Sequence, residues 1–382
     1  MVCREVWSAG VIDLLRLVAS RLPGWLPPYQ VVLALFGIAI GLFPGLPHVR
    51  NDPELILAVF IPALVFEAAL NLNLGALQQV IRPVSLLSTA GVVISIGVIG
   101  APAHFVIGLS WPGALLLGAI LSPTDPIAVV AIVRRSGAPS QLATILEGES
   151  LFNDGTGAAA FIAVLAAAAS GHFSVQEASL KFIVLAAAGA LIGAAVGLAG
   201  ATLVRRTSWT PLEVVLTLIV AYGSYALAVA VGAGGVMSVA AAGVAMAWLG
   251  RWGRNTERSW ARIVLVLSVV LFTLIGLGLP AYSVLGYAIP ILLGFAILLG
   301  SRAVPVYLLG VGIPSRWRQL LWWGGVRGAI SVALALAAAG QPGVDSSVPV
   351  VAYGIVVLSL IFQGSVIRPA VGLLRLRETP QP

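Results

Sequence analysis

Long apolar runs follow one another along almost the whole chain, with only short polar stretches between them. Each run is close to the roughly 20 residues that a helix needs to cross the hydrocarbon core of a membrane. Hydrophobic residues make up 59% of the chain and charged residues 9%, against roughly 45–50% and about 25% in soluble domains. The chain is therefore predicted to be an all-α polytopic membrane protein. Twelve runs are predicted to span the membrane: Tyr29–Leu46, Pro53–Leu72, Val84–Gly108, Trp111–Val133, Gln141–Ala169, Phe182–Leu203, Pro211–Val231, Gly235–Leu249, Ile263–Leu279, Ser283–Gly300, Leu320–Gly340 and Val348–Ile367.

The first 28 residues have a more mixed pattern. Asp13 and Arg16 are three residues apart and could pair on one face of a helix. Residues 1–28 are therefore predicted to form either an interfacial helix or a thirteenth span, giving 12–13 transmembrane helices. Residues 29–377 are predicted to form a single membrane domain, and residues 378–382 a short tail. The lone Cys3 allows no intrachain disulfide.

Basic residues concentrate in alternate loops between the runs. Cytoplasmic loops of membrane proteins carry an excess of Lys and Arg. The basic loops and the C-terminus are therefore expected on the cytoplasmic side of the cell membrane. Because the arginines lie in these loops, the net charge of +7 is not expected to indicate a nucleic-acid partner. The basic set comprises Arg82, Arg134, Arg135, Arg205, Arg206, Arg251, Arg254, Arg258, Arg262, Arg316 and Arg318, with Arg375 and Arg377 in the tail.

Five charged residues stand out inside the apolar runs: Glu67, Asp125, Glu149, Asp154 and Arg327. A charge at the centre of a membrane helix costs roughly 2.5–3.5 kcal/mol on insertion scales, and such residues often mark ion pathways. These five are therefore the first candidates for function.

Two prolines flank Thr124 and Asp125 in the stretch "LSPTDPIAVV", Leu121–Val130. Proline removes a backbone donor and clashes with the preceding turn, so the helix is predicted to unwind here. Unwound backbone at membrane depth is tolerated where it is buried in protein or lines a cavity, and transporters coordinate ions at such breaks. The alternative is a proline kink beside a buried, protonated aspartic acid.

The stretch "GESLFNDGTG", Gly148–Gly157, combines several polar groups on one helix. Ser150 and Asp154 are four residues apart and share a face, and Glu149 and Asn153 share the adjacent face. Asp154 is the candidate for ion contact. Helix capping or an interhelical hydrogen bond is an alternative for all of these, above all for Glu149 and Asn153.

Arg327 lies among glycines in "WWGGVRGAISVAL", Trp322–Leu334. Glycine permits irregular backbone, so this stretch is a candidate second break. The guanidinium could then neutralise helix C-terminal carbonyls or a carboxylate, or it could be an anchor at the cytoplasmic end. Glu67 lies in "LVFEAALNLNL" and could instead be a snorkelling residue near the interface.

Four segments carry a resemblance to a known family: "FEAALNLNL", "GAILSPTDPIAVVAI", "ILEGESLFNDGTGAAAF" and "WGGVRGAISVALAL", in this order. Together they resemble the cation:proton antiporter-1 family, prokaryotic sodium/proton antiporters related to sodium/hydrogen exchangers. The likeness covers roughly residues 25–375. It implies inverted repeats, two crossed unwound helices, a core ion-binding part and a dimerisation part, in a homodimer surrounded by membrane lipids.

The resemblance also implies roles for particular residues. The transported cation or proton would bind at Asp154 and Asp125, with further oxygens from Glu67, Ser150 and the Thr124 backbone. Glu149 would form a structural ion pair with Arg327. Asn153 before Asp154 is similar to the Asn-Asp pair of the electroneutral branch, which implies 1:1 exchange of a monovalent cation, sodium above all, for a proton. The mechanism would be alternating access with competition at buried carboxylates.

The sequence departs from the family pattern in places. Asn73 stands where many relatives have an aspartate, and no C-terminal regulatory domain is expected after the short tail. A potassium/proton antiporter of the same fold, a passive cation channel and an intramembrane aspartyl protease are alternatives. Such proteases usually carry one aspartate in a Gly-x-Gly-Asp stretch, which this chain lacks before both Asp125 and Asp154. The proline-broken helices favour a carrier over a channel. No enzyme activity and no cofactor are expected.

Overall fold

The computed structural model describes residues 29–41, 53–170, 174–250, 253–277, 281–374 and 376. The predictions for residues 1–28 and for the tail 378–382 lie outside these residues. Within them the chain is helical, without a β-strand. The helices are α1 Tyr29–Gly41, α2 Pro53–Leu55, α3 Ile61–Leu70, α4 Leu74–Ser88, α5 Ala90–Pro102, α6 Trp111–Ile120, α7 Ile127–Arg135, α8 Ser140–Ala169, α9 Val175–Val204, α10 Thr210–Ala230, α11 Gly235–Leu249, α12 Arg254–Leu277, α13 Ala281–Gly286, α14 Ala288–Leu309, α15 Ser315–Trp323, α16 Ala329–Ala337 and α17 Ser347–Leu373.

The membrane character predicted from the apolar runs is confirmed. Seven helices among the described residues are long and apolar enough to cross a membrane, and four shorter apolar helices accompany them. Each of the twelve predicted runs contains a helical segment. Several helices extend further than predicted. The continuous span around α4 and α5 begins at Leu74, and α14 continues to Leu309, which places Arg302 inside a helix rather than in a loop.

Two of the runs are interrupted in the middle, as their sequences predict. Between α6 and α7 the chain leaves the helical conformation from Leu121 to Pro126, around the two prolines. Between α15 and α16 it does so from Gly324 to Gly328, around the three glycines. Proline and glycine thus act at the places where their missing donor and missing side chain weaken a helix.

The two breaks lie against each other. The Asp125 amide donates to the Val326 carbonyl over 2.7 Å, so the backbones of the two breaks share a hydrogen bond. A Cβ atom added to Gly328 would overlap the Cβ of Asp125. Glycine at this position is therefore required by the close approach of the two unwound segments, and the predicted crossing is confirmed.

Small residues let α9 approach α11. Gly189, Gly193 and Gly197 are spaced four residues apart on α9, and a Cβ at each would strike a backbone carbonyl, of Gly234, Ser238 and Ala242 respectively. Spacings of this kind allow backbones to pack closely in membranes, where van der Waals contact drives helix association.

We expect Gly193→Ala to destabilise the protein by roughly 1–3 kcal/mol, because the added methyl group overpacks against the fixed Ser238 carbonyl. The readout is a lower melting temperature in detergent. Gly223→Ala is the matched control, since Gly223 lies in the neighbouring helix α10 with open space around its Cβ position. Equal melting temperatures for the two variants would contradict the close packing of α9 on α11.

Candidate ion-binding site

Helix α8 holds the first break, residues 121–126, through contacts with Thr124. The Ser150 hydroxyl donates to the Thr124 carbonyl over 2.6 Å. Asn153 makes two contacts with the same residue: its Oδ1 accepts from the Thr124 amide at 3.2 Å, and its Nδ2 donates to the Thr124 hydroxyl at 2.9 Å. The amide and the carbonyl of Thr124 have no helical partner in the unwound segment. Side chains of α8 satisfy both groups.

A cavity of about 590 Å³ opens beside this break. The five residues proposed from the sequence for the cation and proton all line it. They are Asp154, Asp125, Glu67, Ser150 and Thr124. Glu149, Asn153 and Arg327 are buried at 1% exposure each and do not line the cavity. The structure thus divides "GESLFNDG" into one face on the cavity and one face turned into the protein.

The two aspartates differ in their hydrogen bonding. Asp125 Oδ1 accepts from the Ile127 amide at 3.1 Å, at the start of α7. Asp154 accepts no hydrogen bond from the described residues. Its carboxylate interacts repulsively with that of Asp125. An anionic group that faces a cavity without a protein donor is free to bind a cation or a proton from that cavity.

Glu67 lines the same cavity from helix α3. Its Oε1 accepts from Asn71 Nδ2 over 2.6 Å, one helical turn further along the chain. The Glu67 side chain is only partly exposed and lines the cavity. Its position is therefore at an internal, water-accessible surface.

The ion pair predicted between Glu149 and Arg327 is wrong, because Glu149 pairs with Arg302 instead. Glu149 Oε1 lies 2.6 Å from Nη2 of Arg302 on α14, with side chains 1% and 6% exposed. The Arg302 guanidinium also packs against the second break, where a Cβ at Gly325 would lie 2.7 Å from its Nε. Arg302 escapes detection in the sequence because the apolar run was predicted to end at Gly300, which placed this arginine outside the membrane.

Arg327 instead serves the first break. Its Nη1 donates to the carbonyls of Ser122 and Pro123, at 3.4 and 3.2 Å. These carbonyls lie just beyond the C-terminus of α6, where a positive charge complements the helix dipole. Of the two options that the sequence left open, carbonyls or a carboxylate, the structure places carbonyls at hydrogen-bonding distance. Arg327 and Glu149 still attract each other at longer range.

Helix α17 supports the second break in a way that the sequence did not reveal. The Ser359 hydroxyl accepts from the Arg327 amide at 3.0 Å and donates to Gln363 Oε1 at 2.5 Å. Gln363 Nε2 in turn donates to the Trp323 carbonyl at 3.1 Å. The only signal in the sequence is a glutamine in the middle of an apolar run.

The chemistry of the cavity is that of oxygen ligands. In the described part of the chain, no group of three His, Cys, Asp or Glu side chains is placed to hold a metal ion. The oxygens beside the break are two carboxylates, two hydroxyl groups and backbone carbonyls. Hard cations prefer such ligands.

The chain is similar to known proteins along most of its length. The profile of the family described as "Sodium/hydrogen exchanger, transmembrane" matches residues 11–372. The chain is 34% identical over 365 residues to the Na⁺/H⁺ antiporter ApNhaP of Aphanothece halophytica, covering 91% of this chain and 70% of that protein. It is 35% identical over 342 residues to the Na⁺/H⁺ antiporter NhaP of Pseudomonas aeruginosa, covering 83% and 80%.

A solved structure has the same fold. The sodium proton antiporter MjNhaP1 from Methanocaldococcus jannaschii superposes with a TM-score of 0.73 over 98% of each chain, at 22% identity. The fold is thus that of a polytopic membrane transporter. The chain belongs to the sodium/hydrogen exchanger family.

A double-mutant cycle distinguishes the two arginines. We expect Glu149→Gln to destabilise the protein by roughly 3–5 kcal/mol, because it leaves Arg302 buried without its partner charge. Adding Arg302→Gln should recover a large part of the melting temperature in detergent, so that the two changes are strongly non-additive. The matched cycle with Arg327→Gln should show a much weaker coupling. A stronger coupling of Glu149 with Arg327 than with Arg302 would contradict the pairing.

Proposed function

We propose that this protein exchanges sodium ions for protons across the cell membrane by alternating access, with both ions competing for Asp154 and Asp125. The observation that carries the proposal is the Asp154 carboxylate, which faces the cavity without a hydrogen-bond donor from the described residues and lies beside the crossing of two broken helices. ApNhaP and NhaP of Pseudomonas aeruginosa, both named as Na⁺/H⁺ antiporters, support the same activity.

The ligands proposed for the cation lie on two adjoining elements. Asp154 and Ser150 come from α8, and Asp125 and Thr124 from the first break. Since Ser150 already fastens Thr124 to α8, these oxygens are held at a fixed spacing. Glu67, on α3, supplies a further carboxylate to the same cavity. A preformed set of oxygens favours binding because little ordering is needed when the ion arrives.

Charge balance supports exchange of one sodium ion for one proton. Apart from Glu67, whose carboxylate accepts from Asn71 at the end of the same helix, the charged groups in and beside the two breaks are the carboxylates of Asp125, Glu149 and Asp154 and the guanidinium groups of Arg302 and Arg327. Three carboxylates and two guanidinium groups leave one negative charge when all are ionised. One monovalent cation or one proton neutralises it. A neutral, uncharged cluster is far less costly to carry through the membrane interior than a charged one.

Asn153 fits the same balance. It uses both ends of its carboxamide on Thr124, so it holds the break and adds no charge. An aspartate at this position would add a further titratable group and would lose the donor to the Thr124 hydroxyl. We therefore assign Asn153 a supporting role.

We further propose that the protein works as a homodimer in the cell membrane, with its C-terminus in the cytoplasm, and that it has no cofactor and no enzyme activity. The dimer rests on the family resemblance, and the orientation rests on the basic loops. Potassium would bind through the same oxygens, and a comparison of alkali cations in proteoliposomes tests the preference for sodium.

We expect Asp154→Asn to abolish sodium-driven proton movement in proteoliposomes, because the amide carries no charge for either ion to neutralise. The protein should still insert and run as a single species in detergent. Glu177→Gln, an exposed position in the first turn of α9, is the control and should keep wild-type exchange. Normal exchange by Asp154→Asn would refute the assignment of the site.

One-for-one exchange predicts that the transport rate is independent of membrane potential. A net charge moved per cycle would be driven by about 2.3 kcal/mol for every 100 mV. We therefore expect equal rates at imposed potentials of either sign, set with a potassium gradient and valinomycin. Rates that change several-fold with the sign of the potential would show net charge movement and contradict the charge balance.

A further inference from the structure

One ion pair of the cavity lies outside the contacts that hold the two breaks. Arg134, at the end of α7, places Nη2 2.7 Å from Oε1 of Glu147 on α8. Both residues line the same cavity as Asp154. Glu147, Ser150 and Asp154 are three and four residues apart, so they lie along one face of α8. Seven residues of helix place Glu147 roughly 10 Å from Asp154 along the helix axis.

The exposure of this pair places it at the mouth of the cavity. The Arg134 side chain is 59% exposed and that of Glu147 25%, whereas the pair of Glu149 and Arg302 is almost fully buried. Exposed ion pairs contribute about 0–1 kcal/mol to stability. The pair between Arg134 and Glu147 therefore adds little to the fold, and its main physical effect is on the charge that an entering ion meets.

The positive charge of Arg134 is unusual on the lining of this cavity. Within the described residues, Arg134 is the one cationic side chain on a lining that also carries the carboxylates of Glu67, Glu147, Asp125 and Asp154. Glu147 and Glu67 are close enough for their charges to repel. The guanidinium thus neutralises the outermost of four acidic groups. A site that served only to attract cations would have no need of a positive charge here.

We propose that Arg134 is a tethered cation that sets the apparent affinity of the exchanger for sodium. Its guanidinium occupies the outer carboxylate, Glu147, and opposes the approach of a second cation to Asp154. Sodium binding is thereby weakened, and the affinity is set at the mouth rather than by the ligands alone. The inference rests on the proposed exchange of sodium for protons, and it assigns Arg134 and Glu147 as positioning residues outside the ligand set.

The pair could instead act only as a fastener between α7 and α8. In that case, removing either partner would loosen the same contact, and both single variants would change transport in the same direction. The electrostatic role predicts changes of opposite sign. Removing Arg134 leaves an extra negative charge at the mouth, whereas removing Glu147 leaves an uncompensated positive charge.

The experiment measures the KM for Na⁺ in proteoliposomes for variants of this pair. Arg134→Gln should lower the KM by roughly 2- to 10-fold, and Glu147→Gln should raise it by a similar factor, as expected for a unit charge about 10 Å from the ion. At saturating sodium, the rate should change much less than the KM. The double variant Arg134→Gln with Glu147→Gln restores a neutral mouth and should return to within about 3-fold of the wild type.

Two further variants serve as matched controls. Arg135→Gln removes the same charge from the adjacent exposed residue, which does not line the cavity, and should leave the KM unchanged. Arg134→Lys keeps the charge and should remain close to the wild type. Raising the ionic strength with choline chloride should shrink the difference between Arg134→Gln and the wild type, because salt screens exposed charges.

The outcomes separate this inference from the function on which it rests. No sodium-dependent proton movement by the wild type would refute the proposed exchange itself. With an active wild type, the inference is overturned by an equal KM for Arg134→Gln and Arg135→Gln, or by a rise in KM for both single variants. If Arg134→Gln does not accumulate in the membrane, the KM of Glu147→Gln and of the double variant still test the inference. A higher KM in Glu147→Gln that returns toward the wild-type value in the double variant supports it, and an unchanged KM in Glu147→Gln overturns it.

Discussion

The crossing of two unwound helices is the constraint on which the rest of this structure depends. Unwinding frees peptide groups at membrane depth, where an unsatisfied group costs several kcal/mol. Specific side chains offset this cost by forming hydrogen bonds with the freed peptide groups. Ser150 and Asn153 satisfy Thr124 in the first break, and Ser359 and Gln363 satisfy Arg327 and Trp323 in the second. One supporting helix stands behind each break, and each contributes a hydroxyl and a carboxamide side chain.

The buried charges follow the same logic at longer range. Arg327 extends from the second break to the carbonyls at the first, while Arg302 reaches from α14 to Glu149 on the helix that supports the first break. Each arginine therefore ties one break to the surroundings of the other. Breaking either contact leaves a charge in a region of low dielectric, which explains why the fully buried Glu149, Arg302 and Arg327 all have polar partners.

Much of the fold could be predicted from the sequence, and the reasons are physical. Apolar runs at membrane length and the prolines and glycines within two of them determine where helices form and where they unwind, since these effects are local. The residues on the cavity could be predicted too, because intramembrane carboxylates are rare and Ser150 and Asp154 have helical spacing. The partner of Glu149 could not, because the choice between Arg302 and Arg327 depends on how four distant helices pack. Arg134 was missed because it lies in the last turn of α7, where charge is common and carries little information. Glu147 was missed because its place beside Arg134 depends on how α7 packs on α8.

The three hydrogen bonds from α8 to Thr124 have a consequence for how the cavity can change shape. Asp154 directly follows Asn153 and lies one helical turn beyond Ser150, so the spacing between its carboxylate and Thr124 is set by the geometry of α8. Sliding α8 along the break would require breaking three hydrogen bonds at once. The first break and α8 should therefore travel as one rigid piece. The α3 wall with Glu67 is not tied to that piece by any of these contacts, and we expect it to be the boundary across which the cavity is reshaped.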